Sequence, residues 1–150
     1  MRILLAIDDS KFSEAAIEVV LEQARPHGTE VRVLHVLESP PLLVARELGG
    51  FEPALETALQ FQKQHAEAVV AKAAGLLRAR DLKVTSALEM GDPKSKILDV
   101  AEEWRADLIV LGSHGRKGLN LLMGGVSDAV ARHACCSVEI VRICPANAKN

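Results

Sequence analysis

Two strings in this 150-residue chain carry residue types able to do chemistry. Asp8-Asp9-Ser10 ends the apolar run Ile3 to Ile7. Gly112-Ser113-His114-Gly115-Arg116-Lys117-Gly118 follows Asp107-Leu-Ile-Val-Leu, and Gly124-Gly125-Val126-Ser127 stands a few residues on. Glycines after a strand let the backbone turn tightly and approach a ligand closely. A helix opening at Gly124 to Ser127 presents unpaired N–H groups and a positive dipole end, which favour an anion. Arg116 and Lys117 add cationic donors, and Ser113 and Ser127 add hydroxyls. The set suits a phosphate chain. It equally suits a turn that merely reverses the chain with a solvated basic tip, and spacing alone does not separate the two. GxxxxGK[ST] and GxGxxG are both absent, so the loop is neither a Walker A loop nor a dinucleotide fingerprint.

The other chemistry-bearing residues read more plainly. His114 has no Ser-His-Asp or Cys-His partner visible in the sequence and is assigned no catalytic role. His35 follows an apolar run and reads as a satisfied near-core histidine. Cys135, Cys136 and Cys144 are odd in number, two of them adjacent, so they suggest neither a disulfide framework nor a zinc site. Buried or half-buried thiols are expected, with Cys144 the candidate redox-sensitive one. No catalytic residue and no metal ligand is assigned.

These strings need elements to position them. Ile3 to Ile7, apolar on both faces, suits a central parallel strand. Ser10 and Ser13 offer N-cap oxygens to a helix striped by Ala15, Ala16, Val19, Val20 and Ala24, which Pro26-His27-Gly28 stops. Val31, Val33 and His35-Val36 form a second strand. Glu38 to Pro53, with Pro40-Pro41 and Gly49-Gly50, reads as a lid or a plain connection. A long helix is expected from about Ala54 to Arg80. Leu82 to Leu88 alternates as a third strand. Asp92 caps the next helix, with Pro93 at its first position and Ile97, Leu98, Val100, Ala101 and Trp104 along its stripe. Asp107 to Gly112 is a fourth strand, a helix runs through Val130 and His133, and Val138 to Arg142 is a fifth strand. Strands alternating with helices mean a parallel sheet covered on both faces, with right-handed crossovers. In such sheets ligands sit beyond the carboxyl ends of the strands, where the winding reverses.

Composition narrows the function. Hydrophobic residues are 49% and charged residues 25%, which is ordinary globular usage. Aromatics are 3%, three Phe and one Trp, so the core is aliphatic and base stacking on single-stranded nucleic acid has no platform. Net charge is −2 and the pI near 6.2, which supplies no basic field for nucleic acid. No apolar run approaches the roughly 18 residues of a membrane span. The expected location is the cytoplasm.

The string Asp107 to Gly118 resembles the fourth strand and loop of the universal stress protein family. The resemblance continues through Gly125-Val-Ser-Asp-Ala-Val-Ala-Arg-His-Ala134 and Cys136-Ser-Val-Glu-Ile-Val-Arg142. It also covers Ile3-Leu-Leu-Ala-Ile-Asp-Asp-Ser10, Val33-Leu-His-Val36 and Gly91-Asp92-Pro93. It implies an α/β three-layer sandwich of the adenine nucleotide alpha hydrolase-like, Rossmann-like kind. Five parallel strands in the order 3-2-1-4-5 would span residues 1–144, with a tail at 145–150. It further implies a homodimer through the last strand, Val138 to Arg142, and an adenine nucleotide site, for ATP with Mg²⁺, in some members. The site residues it implies are Asp8 and Ser10, Val36, Gly91, Gly112, His114, Gly115, Arg116, Gly124, Gly125, Val126 and Ser127. Asp8 would lie near adenine or ribose and the Val36 backbone along the adenine edge. Gly112, Gly115 and Gly125 would flank ribose and phosphates.

The match departs from the nucleotide-binding pattern of Gly, two residues, Gly, nine residues, Gly, then Ser or Thr. Gly112 and Gly115 fit, and nine more residues reach Gly125, but Val126 follows it. Taking Gly124 as the last glycine instead puts Gly125 at the hydroxyl position and leaves the spacer one residue short. Losing one hydrogen bond to a charged group removes about 1.5–3 kcal/mol, or roughly 10- to 150-fold in affinity. Asp9 also stands where the family commonly has glycine, and its carboxylate repels phosphate unless it pairs with a cation or binds Mg²⁺.

Three readings follow. One is a stress-response regulatory module that binds ATP, with at most weak hydrolysis since no dedicated base is evident. Another is a nucleotide-independent dimer of the same family that acts through protein partners. The third is a phosphoacceptor receiver domain. Asp8-Asp9 resembles that domain's acidic pair, but Glu89-Met90-Gly91 lacks the acceptor Asp and the fifth strand ends without Lys.

Overall fold

A computed structural model describes residues 1–38, 52–114 and 125–144. The elements run β1 (Arg2–Ala6), α1 (Lys11–Gln23), β2 (Glu30–Leu37), α2 (Glu52–Arg78), β3 (Lys83–Met90), α3 (Pro93–Trp104), β4 (Leu108–Gly112), α4 (Gly125–His133) and β5 (Ser137–Val141). All strand pairs are parallel, in the order β3-β2-β1-β4-β5. The expected fold class and strand order are therefore observed. Most of the Glu38 to Pro53 stretch and the whole 145–150 tail lie outside the described residues.

Burial explains the two kinds of strand. β1 and β4 lie inside the sheet and bury both faces, so beyond the exposed Arg2 their sequences are continuous apolar runs. On one face Ile3, Leu5, Val31, Val33 and Val110 pack against Ala16 and Val20 of α1 and Val70, Ala74 and Leu77 of α2. On the other, Leu4, Leu34, Ile109 and Leu111 pack against Ile97 and Val100 of α3 and Val130 of α4. β3 is an edge strand with no fully buried residue, and the alternation expected for it does not appear. It runs to Met90 rather than Leu88 because β2 continues to Leu37 and pairs with it there. Leu82 is buried but precedes the strand. β5 is offset by one residue from expectation, at Ser137 to Val141, because its ladder begins opposite Leu108 and ends opposite Gly112.

The helix ends follow local chemistry. Ser10 is the N-cap of α1, accepting from the Ser13 N–H. Asp92 caps α3 by accepting from the Ser95 N–H and hydroxyl, with Pro93 following. Arg105 closes α3 in the left-handed region at φ 56. Among the described residues no helix is long and apolar enough to cross a membrane.

Candidate functional site

In the order β3-β2-β1-β4-β5 the winding reverses between β1 and β4. That is where a parallel sheet opens a crevice at its carboxyl edge. The β1 side is a braced turn. Asp8 Oδ1 accepts from the Ser10 N–H at 2.8 Å and from the Ser13 hydroxyl at 2.8 Å, while Ser13 Oγ accepts from the Asp8 N–H at 2.8 Å. Ser13 is thus not a cap, as its residue type suggested. It lies inside the first turn of α1 and ties the Asp8 carboxylate to the helix start.

The β4 side is packed more tightly than a ligand alone would require. A Cβ on Gly112 would sit 2.6 Å from the Cβ of Phe12, so the glycine lets α1 close onto the end of β4. Ser113 is buried, and its N–H donates to the Val141 carbonyl at 2.8 Å. Its hydroxyl lies 3.0 Å from His114 Nδ1, and the His114 ring lies 5.2 Å from that of Phe12. Among the described residues, Ser113 and Phe12 are neighbours that orient the His114 ring. Ser127 is also buried, and its hydroxyl donates to the Ser113 carbonyl at 2.9 Å, tying the first turn of α4 to the end of β4. The two serine hydroxyls read as phosphate donors are both engaged within the protein.

Of the other candidate residues, Val36, Gly91, Gly125 and Val126 are described. Val36 is half-buried and packs on the core face carrying α3 and α4. Gly91, at φ 142, ends β3 and donates its N–H to the Leu37 carbonyl at 2.8 Å. Gly125 opens α4 with nothing within 4 Å of a Cβ placed on it, and Val126 is half-buried against the core. Gly115, Arg116, Lys117 and Gly124 lie outside the described residues.

Two histidines complete the picture. His35 is buried and its Nδ1 lies 2.7 Å from the Ile7 carbonyl. A carbonyl only accepts, so the proton is on Nδ1, and the near-core expectation holds. His65, which no motif marked, sits on α2 with Nε2 3.0 Å from Asp9 Oδ2. Asp9 thus has a partner that can carry positive charge, supplied by a helix more than fifty residues away. The one sequence signal for it was the unexplained second carboxylate. Among the described residues no group of three or more His, Cys, Asp or Glu is placed to hold a metal ion.

A separate cleft of about 320 Å³ lies at the opposite end of the sheet, between the carboxyl ends of α3 and α4, and includes none of these residues.

Residues 1–142 match the sequence model of the Universal stress protein family. A universal stress protein of Thermus aquaticus is 34% identical over 141 residues, covering 93% of this chain and 97% of that one. The solved structure of the universal stress protein UspA from Lactobacillus plantarum superposes with a TM-score of 0.79 at 25% identity, covering 95% of this chain and 97% of that one. Two more distant structures share the fold and hold nucleotides. One is a universal stress protein in complex with cAMP (20% identity, TM-score 0.66, 95% and 96% of the two chains). The other is a family protein from Arabidopsis thaliana with AMP bound (18% identity, TM-score 0.66, 98% and 94%).

Proposed function

The chain belongs to the universal stress protein family, and from that premise we propose that it is a cytoplasmic stress-response module that binds an adenine nucleotide between the ends of β1 and β4. ATP with Mg²⁺ is the form its family pattern suggests, and pairing of β5 edges would join two copies as a homodimer. The observation that carries the reading is the convergence at the topological switch point. The Asp8–Ser10 turn, the end of β4 and the first turn of α4 meet there, held by the Ser127–Ser113 and Phe12–His114 contacts. The helix start favours an anion, and the cAMP and AMP complexes of distant relatives support the ligand class.

The reading is tested by thermal melts with ATP, AMP and cAMP, each with and without Mg²⁺. Ligand at 100 times Kd stabilises by about 2.7 kcal/mol, which raises Tm by roughly 5–11 °C in a domain of this size. No shift at millimolar nucleotide refutes it.

One observation favours a second reading, a nucleotide-independent dimer acting through protein partners. Where the family pattern has a hydroxyl, Val126 packs against the core, and the nearby Ser127 hydroxyl already donates to Ser113. That version predicts a dimer by sedimentation with melts indifferent to nucleotide, and a monomer refutes it.

A further inference from the structure

The cleft between the ends of α3 and α4 serves neither reading above. Its volume of about 320 Å³ falls in the range of small-molecule sites, roughly 300–1,000 Å³. Two free thiols that are neighbours in the chain, Cys135 and Cys136, line it together. Groups of both kinds line it with them: the Arg105 guanidinium and the His133 ring on one hand, the Glu102 and Asp107 carboxylates on the other. Arg105 holds a left-handed backbone at φ 56, a helix-closing position where glycine is usual. The chain therefore keeps an arginine side chain on the cleft wall at a conformational cost.

We propose that Cys135 is a thiol-modification site whose cleft receives a small zwitterionic thiol of tripeptide size as a mixed disulfide. The co-reactant is the symmetrical disulfide of that thiol. The Cys135 thiolate attacks one sulfur, the reagent's S–S bond breaks, and a new S–S bond to Cys135 forms. The other half leaves as a thiolate and takes up the proton that Cys135 released. Carboxylates of the incoming group face Arg105 and His133, and its ammonium faces Glu102. Asp107 is already engaged, accepting from the Arg2 N–H at 2.7 Å. Cys135 is the exposed member of the pair. Burial pushes the Cys136 thiol up, helped by Cys135 and Asp107 beside it, which disfavours the thiolate that would attack. Cys144 is exposed but lies outside the cleft.

The test treats the reduced full chain with glutathione disulfide and follows intact mass and peptide maps. One adduct is expected, on Cys135. It is lost in Cys135→Ser and unchanged in rate in Cys144→Ser. Arg105→Gly suits the positive φ, so the variant folds. It slows the glutathione reaction about two- to fivefold, the size of an exposed ion pair, and leaves the reaction with uncharged hydroxyethyl disulfide unchanged. The proposal is overturned by no adduct, by first modification at Cys136 or Cys144, or by a Cys135–Cys136 disulfide in place of the adduct. It is also overturned if Arg105→Gly affects both reagents alike or neither.

Discussion

Replacing Gly112 with alanine separates packing from ligand binding at the glycine motif. The added Cβ would lie 2.6 Å from the Cβ of Phe12 and 3.0 Å from that residue's carbonyl carbon and oxygen. Carbon atoms rest about 3.5–4.0 Å apart, so α1 must withdraw by about 1 Å from the end of β4. Phe12 cannot yield by rotating its ring, because the conflict is with its Cβ and backbone. Overpacking of this kind costs about 1–3 kcal/mol, or roughly 2–12 °C in Tm for a domain of this length. The loss appears without any nucleotide present. Gly125→Ala is the matched control: its Cβ meets nothing within 4 Å, and alanine in a helix is favoured over glycine by up to about 1 kcal/mol. Its Tm should hold or rise. Melts of the ligand-free proteins check both. The packing argument fails if Gly112→Ala melts with the wild type.

Three further outcomes are expected. Ser13→Ala removes the hydroxyl that bridges the Asp8 N–H and carboxylate. Urea denaturation should register a loss of about 1–3 kcal/mol, and a change inside the roughly 0.5 kcal/mol scatter of surface substitutions contradicts the brace. Glu30 is held below its usual value of 4.5, chiefly by its hydrogen bond from Lys83. A lowered carboxylate stabilises the fold above its ordinary range, and that contribution is lost as pH falls through the lowered value. Lys83→Met should therefore differ from wild type in stability above about pH 4.5 and converge with it in acid, with carboxyl titration by NMR following Glu30 back to its usual value. His65→Ala removes one partner of the Asp9 carboxylate beside the proposed phosphate region. It should change stability by less than about 1 kcal/mol yet weaken ATP more than AMP in calorimetry, and equal weakening removes His65 from the site.

The parts of the fold legible in sequence are those set by local chemistry or by complete burial. β1 and β4 announce themselves because both their faces are covered, so every position from Ile3 to Ala6 and from Leu108 to Leu111 is apolar. The α3 start is legible because Asp92 and Pro93 act within one turn. β3 was harder, since an edge strand buries too little to enforce a period. At the candidate site, Asp8, Ser10, Gly112 and Ser127 are named from sequence and family resemblance, but the partners the structure gives them are not. Ser13 reads as a cap and acts as a brace because Asp8 folds back over it. His65 lies in a polar stretch of α2, and only the tertiary approach of that helix to β1 brings it to Asp9.

That division bears on what a glycine motif means. Gly112 is required by Phe12, and Ser127 is required by the Ser113 carbonyl, whether or not anything binds between β1 and β4. A chain of this fold would retain both residues for packing alone, so their presence carries little information about a ligand. Among the described motif residues, Gly125 is different. It stands at a helix start, its φ is not positive, and among the described residues nothing lies within 4 Å of a Cβ placed on it. Alanine is favoured over glycine inside a helix, while glycine is the better residue at a cap. What a bare backbone adds at that position is close access to the first N–H groups of α4, the donors an anion would use. Gly125 therefore adds to the case for a phosphate-bearing ligand that the convergence at the switch point carries. A Gly125→Ala protein that melts normally and binds nucleotide as tightly as wild type would remove Gly125 from that case.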